Sequence, residues 1–174
     1  MPSLDSDSEE NPVSRRRSAR RGIALAWLWV LLWAAVIWQL GGDDFSASAM
    51  NSRLLEWLRW LAADLDPITR YRLAIGIRKS AHFVEYAILA LLTFRAALIS
   101  AGRNQLAAAA WVALFIVATL ASADEARQAF SPIRTGSPYD VLLDIAGGAI
   151  SIAGLLSISR RMRTTAPTPS PKST

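Results

Sequence analysis

The chain has 174 residues, a formal net charge of +5 and a hydrophobic fraction of 52%, with seven tryptophans. This length is typical of one domain, and clustering of the apolar residues into long runs indicates a membrane protein rather than a soluble one. The chain contains no cysteine, which excludes disulfides, thiolate catalysis and zinc sites with cysteine ligands.

The first apolar run follows a polar segment that ends in a cluster of arginines. Residues 1–20 are polar, and we expect them to form a disordered tail. The run 23–40 carries no charge and is close to the length of roughly 20 residues that a bilayer core requires. A cleaved signal peptide is the alternative, but its apolar core is usually only about 7–15 residues long. We therefore interpret the run as a permanent transmembrane helix. A basic cluster beside such a run indicates orientation, so we expect no nucleic acid partner.

The next segment predicts a short amphipathic helix. Within 52–65, five apolar residues fall on one helical face: Leu54, Trp57, Leu58, Leu61 and Leu65. The segment is too polar to span a bilayer and suits an interfacial helix. A helix packed against the bundle would show the same pattern, and this alternative stays open.

Three further apolar runs, at 81–99, 106–122 and 139–158, are long enough to span the membrane. With four spans, both termini lie on one side, together with the arginine cluster, Arg103 and the basic segment 160–163. The segment 41–80 lies on the other side and carries several arginines, which weakens this asymmetry without reversing it. The positive-inside rule therefore predicts cytoplasmic N- and C-termini. The predicted fold is an all-α, polytopic membrane helix bundle of four transmembrane helices plus the short amphipathic helix. It forms a domain at 21–160, followed by a disordered tail at 161–174.

Ionisable and polar residues interrupt the second, third and fourth spans near the same end. Each charge costs about 2.5–3.5 kcal/mol to insert, so each must face protein or water. Counting spans places all of them near the extracytoplasmic surface. They are Lys79, His82, Glu85, Tyr86, Asp124, Glu125, Gln128, Asp140 and Asp144. Lys79, Arg127 and Arg134 are the candidate cationic partners of the carboxylates.

Helical spacing predicts which of these side chains share a face. His82 and Tyr86 are four residues apart, and Lys79 precedes His82 by three, so all three share one face. Asp140 and Asp144 continue into a stripe of small residues down the fourth span: Gly147 or Gly148, and Ser151. Such glycines allow a neighbouring helix to approach closely.

Each of these residues also has a purely structural interpretation. Asp140 can cap the fourth helix, Lys79 can extend to the lipid headgroups, and a lone histidine is more often structural than catalytic. Charges from three helices at one depth nevertheless favour a site or a structural polar cluster over chance.

The order and spacing of these residues resemble a known family. "KSAHFVEYAILALL" and "ADEARQAFSPIRTGSPYDVLLDIAGG" are similar to segments of the VanZ-like family of bacterial integral membrane proteins. The matching positions are Lys79, His82, Tyr86, Asp124, Glu125, Gln128, Phe130, Pro132, Arg134, Asp140, Asp144 and Gly147. Two positions depart from the family pattern: Ile133 replaces a glycine, and Asp144 replaces an asparagine, which adds a charge to the site.

The resemblance implies a multi-pass protein of the bacterial cytoplasmic membrane that acts at its outer face, in envelope modification or glycopeptide-type antibiotic resistance. The candidate catalytic residues are His82, Asp124, Glu125 and Asp140. The candidate ligand-binding residues are Lys79, Glu85, Tyr86, Gln128, Arg134 and Asp144. The expected partners are the lipid bilayer and an anionic lipid or cell-wall precursor.

Three kinds of function are open on the sequence. A non-enzymatic envelope protein would use the polar residues to join helices or to bind an anionic headgroup. A membrane-embedded enzyme acting on a lipid-linked or phosphorylated envelope substrate would use His82 as general acid or base. Its carboxylates would help His82 to hold Mg²⁺ or Mn²⁺. A small transporter is the third alternative. The sequence identifies no substrate, metal or cofactor.

Overall fold

The computed structural model describes residues 12–41, 47–102, 104–130 and 137–164, which form five helices and no strand. The helices are α1 (Pro12–Leu40), α2 (Ala47–Leu61), α3 (Pro67–Ala101), α4 (Leu106–Ala129) and α5 (Pro138–Thr164). All except α2 are long and apolar enough to cross a membrane. The predicted all-α bundle of four transmembrane helices and one short helix is confirmed.

Both end helices enter the segments that we expected to be tails. α1 begins at Pro12 and therefore includes the arginine cluster, while α5 continues to Thr164. Arginine has a high helix propensity, and proline is favoured at the first helical position because its missing N–H is not needed there. The remaining residues of the predicted tails, 1–11 and 165–174, lie outside the described residues.

The helix α3 is longer than the span predicted within it. It runs for 35 residues without a break, which is about 52 Å at ~1.5 Å per residue. Asp66 caps its start by accepting hydrogen bonds from the backbone N–H groups of Ile68 (2.9 Å) and Thr69 (3.0 Å). Gly102 follows its last residue with φ = 100°, a conformation that glycine adopts without steric cost. Since a bilayer core is only about 30 Å thick, α3 extends beyond it.

The helix α3 is also the centre of the fold, because it packs against each of the other four helices. Its closest neighbour is α5. A Cβ added at Gly147 would lie 2.6 Å from the carbonyl oxygen of Phe83, and one added at Gly148 would lie 3.2 Å from the Ala90 Cβ. The predicted glycine stripe of α5 therefore faces α3 and permits the close approach, as expected.

Two tryptophans of α1 fasten it to α3. Trp33 Nε1 donates to the carbonyl oxygen of Glu85 at 2.9 Å, and Trp27 Nε1 donates to Ser100 Oγ at 3.0 Å. The earlier tryptophan of α1 contacts the later residue of α3, and the later tryptophan contacts the earlier residue, so the two helices are antiparallel. The end of α1, the polar part of α3, the end of α4 and the start of α5 consequently meet at one end of the bundle.

The helix α2 packs on α3 with one face and leaves other apolar residues uncovered. Leu58 is buried and Leu54 is half-buried, whereas Trp57, Trp60 and Leu61 are exposed. The apolar stripe predicted from the sequence is therefore divided between the bundle and its surroundings. Exposed tryptophans are typical of the membrane–water interface. The interpretation of α2 as a helix packed against the bundle is confirmed, whereas its interfacial position stays a prediction that the exposed tryptophans favour.

Candidate functional site

Side chains of α3, α4 and α5 line a narrow cleft at one end of the bundle, which we call the polar cleft. Its lining residues are Arg78, Lys79, His82, Glu125, Gln128, Asp140, Leu143 and Asp144. The cleft is narrow, and about 20 Å³ of it is open to the centre of a water-sized sphere. Six of the predicted site residues, from three helices, thus lie around one small space.

An ion pair closes one side of the polar cleft. Lys79 Nζ donates to Asp140 Oδ1 at 2.8 Å and joins α3 to α5. Asp140 lies in the first turn of α5, where the helix dipole favours a carboxylate. Its interpretation as a residue that stabilises a helix start is therefore compatible with a role in the cleft. Both side chains are partly exposed, so the pair is accessible from the surroundings of the bundle.

His82 lies about one helical turn before Glu85 on α3. The distance between His82 Nδ1 and Glu85 Oε2 is 3.5 Å, which is long for a hydrogen bond. Glu85 Oε2 and the Tyr86 hydroxyl are buried and have no hydrogen-bond partner among the described residues. Glu85 and Tyr86 do not line the polar cleft but lie next to His82 along the helix. The structure thus separates them from the residues that face the open space.

Asp124 is only 3% exposed and belongs to a network that reaches α1. It accepts hydrogen bonds from Arg127 Nη2 at 2.5 Å and from Gln128 Nε2 at 2.7 Å. Arg127 also donates to the carbonyl oxygen of Trp38 at 3.0 Å, and its guanidinium stacks on the Trp38 ring at 4.3 Å from the centroid. A Cβ at Gly41 would overlap the Asp124 carboxylate and the guanidinium. This contact requires glycine at the end of α1.

Gln128 connects the Asp124 network to the polar cleft, and Glu125 lines the same cleft. Glu125 Oε2 accepts a hydrogen bond from the backbone N–H of Ser137 at 2.6 Å, which holds the start of α5 against α4. Gln128 donates to Asp124 and also lines the cleft. Asp124 itself is therefore not a lining residue but supports one.

Asp144 is the buried carboxylate of the polar cleft. It is 4% exposed, and its Oδ1 has no hydrogen-bond partner among the described residues. Arg78 Nε is likewise a buried donor without a hydrogen-bond partner among the described residues. Buried polar atoms normally have partners, because leaving one unsatisfied costs about 1–3 kcal/mol. An unpartnered acceptor and an unpartnered donor in one cleft are the features expected of a site for a polar ligand.

Arg134, a predicted ligand-binding residue, lies outside the described residues. Among the described residues, no group of three or more His, Asp or Glu side chains is arranged to hold a metal ion. The suggested divalent metal on His82, Glu85 and the neighbouring carboxylates therefore finds no support in this arrangement.

Sequence reasoning missed the contributions of Trp38, Gly41 and Ser137. Trp38 acts through its carbonyl oxygen and ring, Ser137 through its N–H, and Gly41 through the absence of a side chain. Backbone groups carry no residue-specific signal. Only the glycine next to a span boundary could have indicated a close contact.

Four potential membrane spans around a polar cleft define a multi-pass membrane protein with a cluster of ionisable side chains inside its helical bundle. The family model described as VanZ/LLP1 matches residues 23–159, well over half of the chain. The chain therefore belongs to the VanZ/LLP1 family, and the resemblance noted in its sequence is confirmed. Comparisons with curated proteins and with solved structures gave no match.

Proposed function

We propose that this protein acts at the outer face of the bacterial cytoplasmic membrane. There the polar cleft binds the polar headgroup of an envelope lipid or lipid-linked cell-wall precursor, and thereby modifies the envelope and its response to glycopeptide-type antibiotics. The observation that carries the proposal is the convergence of charged side chains from three helices on one cleft. Ionisable residues within membrane domains are costly and usually serve a polar ligand or pathway. Membership of the VanZ/LLP1 family supports the same role.

The distribution of basic residues supports the orientation. The arginine cluster at the start of α1 and the basic segment 160–163 at the end of α5 lie at the end of the bundle opposite the polar cleft. Lysine and arginine are enriched on the cytoplasmic side. The cleft is then extracytoplasmic, within reach of envelope components.

Single cysteines test this orientation directly, because the chain has none of its own. Tyr139 is 79% exposed beside the polar cleft, and Asn104 is exposed in the turn between α3 and α4. In intact cells, a membrane-impermeant maleimide should label Tyr139→Cys, whereas Asn104→Cys should react only after lysis. Labelling of Asn104→Cys with protection of Tyr139→Cys would reverse the orientation.

Drug susceptibility tests the role of the cleft. Cells expressing the protein should tolerate more of a lipidated glycopeptide than cells carrying an empty vector. Lys79→Gln and Asp140→Asn, which break the ion pair at the cleft, should remove this tolerance at equal protein levels in the membrane. Glu56→Gln changes an exposed carboxylate of α2 and is the matched control. Full tolerance in both cleft variants would show that the cleft does not carry the function.

A membrane-embedded enzyme is the second candidate. The observation in its favour is that one buried carboxyl oxygen of Glu85 and one of Asp144 lack hydrogen-bond partners among the described residues. Such groups are suited to general acid–base catalysis next to a histidine. Purified protein would be incubated with lipid-linked phosphates and the products analysed by mass spectrometry, with His82→Gln as the inactive variant. Metal content before and after chelation would show whether any turnover depends on a metal.

A further inference from the structure

We infer that the polar cleft recognises a zwitterionic headgroup of the phosphoethanolamine type, with the primary ammonium on Asp144 and the phosphodiester on Arg78. The inference rests on the proposed function and names the ligand class of the same site. A cleft with charges of only one sign would satisfy only one of these two groups. Two residues that line the cleft offer both an acceptor and a donor that lack hydrogen-bond partners among the described residues.

Asp144 supplies the anionic position. It lies six residues after Pro138, about 9 Å along α5, and is almost fully buried. Its Oδ1 is an acceptor without a partner among the described residues, and the side chain lines the cleft. The nearby cations of the network are engaged elsewhere, since Lys79 pairs with Asp140 and Arg127 with Asp124. A donor from a ligand would complete the hydrogen bonding of Asp144.

The unpartnered acceptor selects the kind of cation, because Asp144 Oδ1 needs a hydrogen-bond donor. A primary ammonium carries three N–H donors. A trimethylammonium group has no N–H to donate. The cleft should therefore accept ethanolamine-type headgroups and reject choline-type ones.

Arg78 supplies the cationic position. Its Nε is a buried donor without a partner among the described residues, and the side chain lines the same cleft as Asp144. Arginine binds phosphate through paired, directional N–H groups. A phosphodiester next to the bound ammonium would satisfy this donor. One ligand then neutralises both unpartnered groups.

Asp144→Asn is nearly isosteric, so the variant should fold. It removes the charge that holds an ammonium. Asp64→Asn makes the same chemical change at an exposed position between α2 and α3, and serves as the matched control.

Native mass spectrometry of the purified protein tests the inference. The detergent-solubilised protein would receive equimolar phosphatidylethanolamine and phosphatidylcholine with identical acyl chains. The wild type and Asp64→Asn should retain the ethanolamine lipid in preference by at least about tenfold, equivalent to ~1.4 kcal/mol. Asp144→Asn should retain both lipids equally. Equal retention by the wild type, or unchanged preference in Asp144→Asn, would overturn the inference.

Two further experiments distinguish a free headgroup from a whole lipid as the ligand, and failure of this inference from failure of the proposed function. If soluble glycerophosphoethanolamine displaces the bound lipid, the headgroup alone is recognised. If it does not displace the lipid but the preference for the ethanolamine lipid remains, the whole lipid is the ligand. The drug-susceptibility test with Lys79→Gln and Asp140→Asn is independent of both binding measurements. If these variants abolish tolerance while the wild type shows no lipid preference, the ligand class is wrong and the proposed function stands.

Discussion

Asp124 and Asp144 are both buried carboxylates, but their oxygens are used differently. Asp124 accepts hydrogen bonds from Arg127 and Gln128, whereas Oδ1 of Asp144 has no partner among the described residues. A buried charge that loses its partner is strongly destabilising. We therefore assign Asp124 to the stability of the bundle and propose Asp144 for the ligand.

The pair formed by Arg127 and Asp124 should be revealed by non-additive effects on stability. Arg127→Met removes the cation and leaves Asp124 buried without it, which should lower the free energy of unfolding by about 3 kcal/mol. Adding Asp124→Asn should recover part of that loss, because the uncompensated charge is gone. Thermal unfolding in detergent measures both variants. Arg59→Met, on the exposed face of α2, is the control, and an equal loss there would contradict the assignment.

At the scale of the helices, the crossing of α3 and α5 depends on Gly147. A Cβ at this position would lie 2.6 Å from the carbonyl oxygen of Phe83, so Gly147→Ala must push the helices apart. We expect a loss of about 1–3 kcal/mol in the free energy of unfolding, as for other overpacked contacts. Thermal unfolding in detergent measures it.

The same helix provides the control for that substitution. Gly154 has no neighbouring atom within 4 Å of an added Cβ, so Gly154→Ala should leave stability unchanged or raise it slightly. If Gly147→Ala were equally well tolerated, the close approach of α3 and α5 would not contribute to stability.

The start of α3 should depend on pH through Asp66. Hydrogen bonds from the Thr69 side chain, and then from backbone N–H groups, hold the pKa of Asp66 below its ordinary value of 3.8. A lowered pKa means that the cap stabilises the helix above pH 3.8 and is lost as the pH falls through the lowered pKa. As the pH is lowered from 3.8 through the pKa of Asp66, the hydrogen-exchange protection factors of the Ile68 and Thr69 amides should decrease.

Asp66→Asn is the control for this titration, because asparagine also caps helices but does not ionise. The amides at the start of α3 should then be protected to the same extent at all pH values tested. A fall in protection that persists in this variant would exclude Asp66 as the cause.

The sequence predicted the four spans because uncharged apolar runs are a direct signal of membrane insertion. It placed the start of the second span near residue 81, whereas α3 begins at Pro67. Hydropathy detects the part of a helix that lipid surrounds and not its continuation into water. The cap formed by Asp66 and Pro67 was the available signal, and it lay outside the apolar run.

The convergence of the polar residues also followed from the sequence, since counting spans fixes which ends lie together. Their individual partners did not. Whether Asp140 meets Lys79 or His82 depends on the rotation of α5 about its axis, which glycine packing against Phe83 determines. The interaction of Arg127 with a carbonyl oxygen of α1 leaves no pattern in the residue types.

At the scale of the whole molecule, we propose that α2 lies between the bundle, the lipid and the water. Leu58 faces α3, Leu61 is an exposed apolar residue and Arg59 is an exposed charged one. Nitroxide labels on cysteines at these positions should distinguish them. Position 61 should be accessible to oxygen, position 59 to a water-soluble nickel chelate, and position 58 to neither. High chelate access at both 59 and 61 would show that α2 lies in water.

The unequal lengths of the helices place α2 and the start of α3 on the same side as the polar cleft. The span part of α3 begins near the cleft, and the preceding turns carry α2 with its exposed Trp57 and Trp60. Tryptophan prefers the interfacial region of the bilayer. In the proposed orientation, these tryptophans would hold the polar cleft at the depth of the headgroups.

The continuous helix through the arginine cluster has an electrostatic consequence for α1. Its first turn contains no acidic residue, and exposed positive charges lie near the positive end of the helix dipole: Arg15, Arg16, Arg17, Arg20 and Arg21. The interaction of these arginines with the helix dipole is therefore unfavourable at this end. In the proposed orientation the anionic cytoplasmic leaflet compensates, at about 1 kcal/mol for each arginine near the surface. The folded length of α1 should accordingly vary with lipid charge and ionic strength.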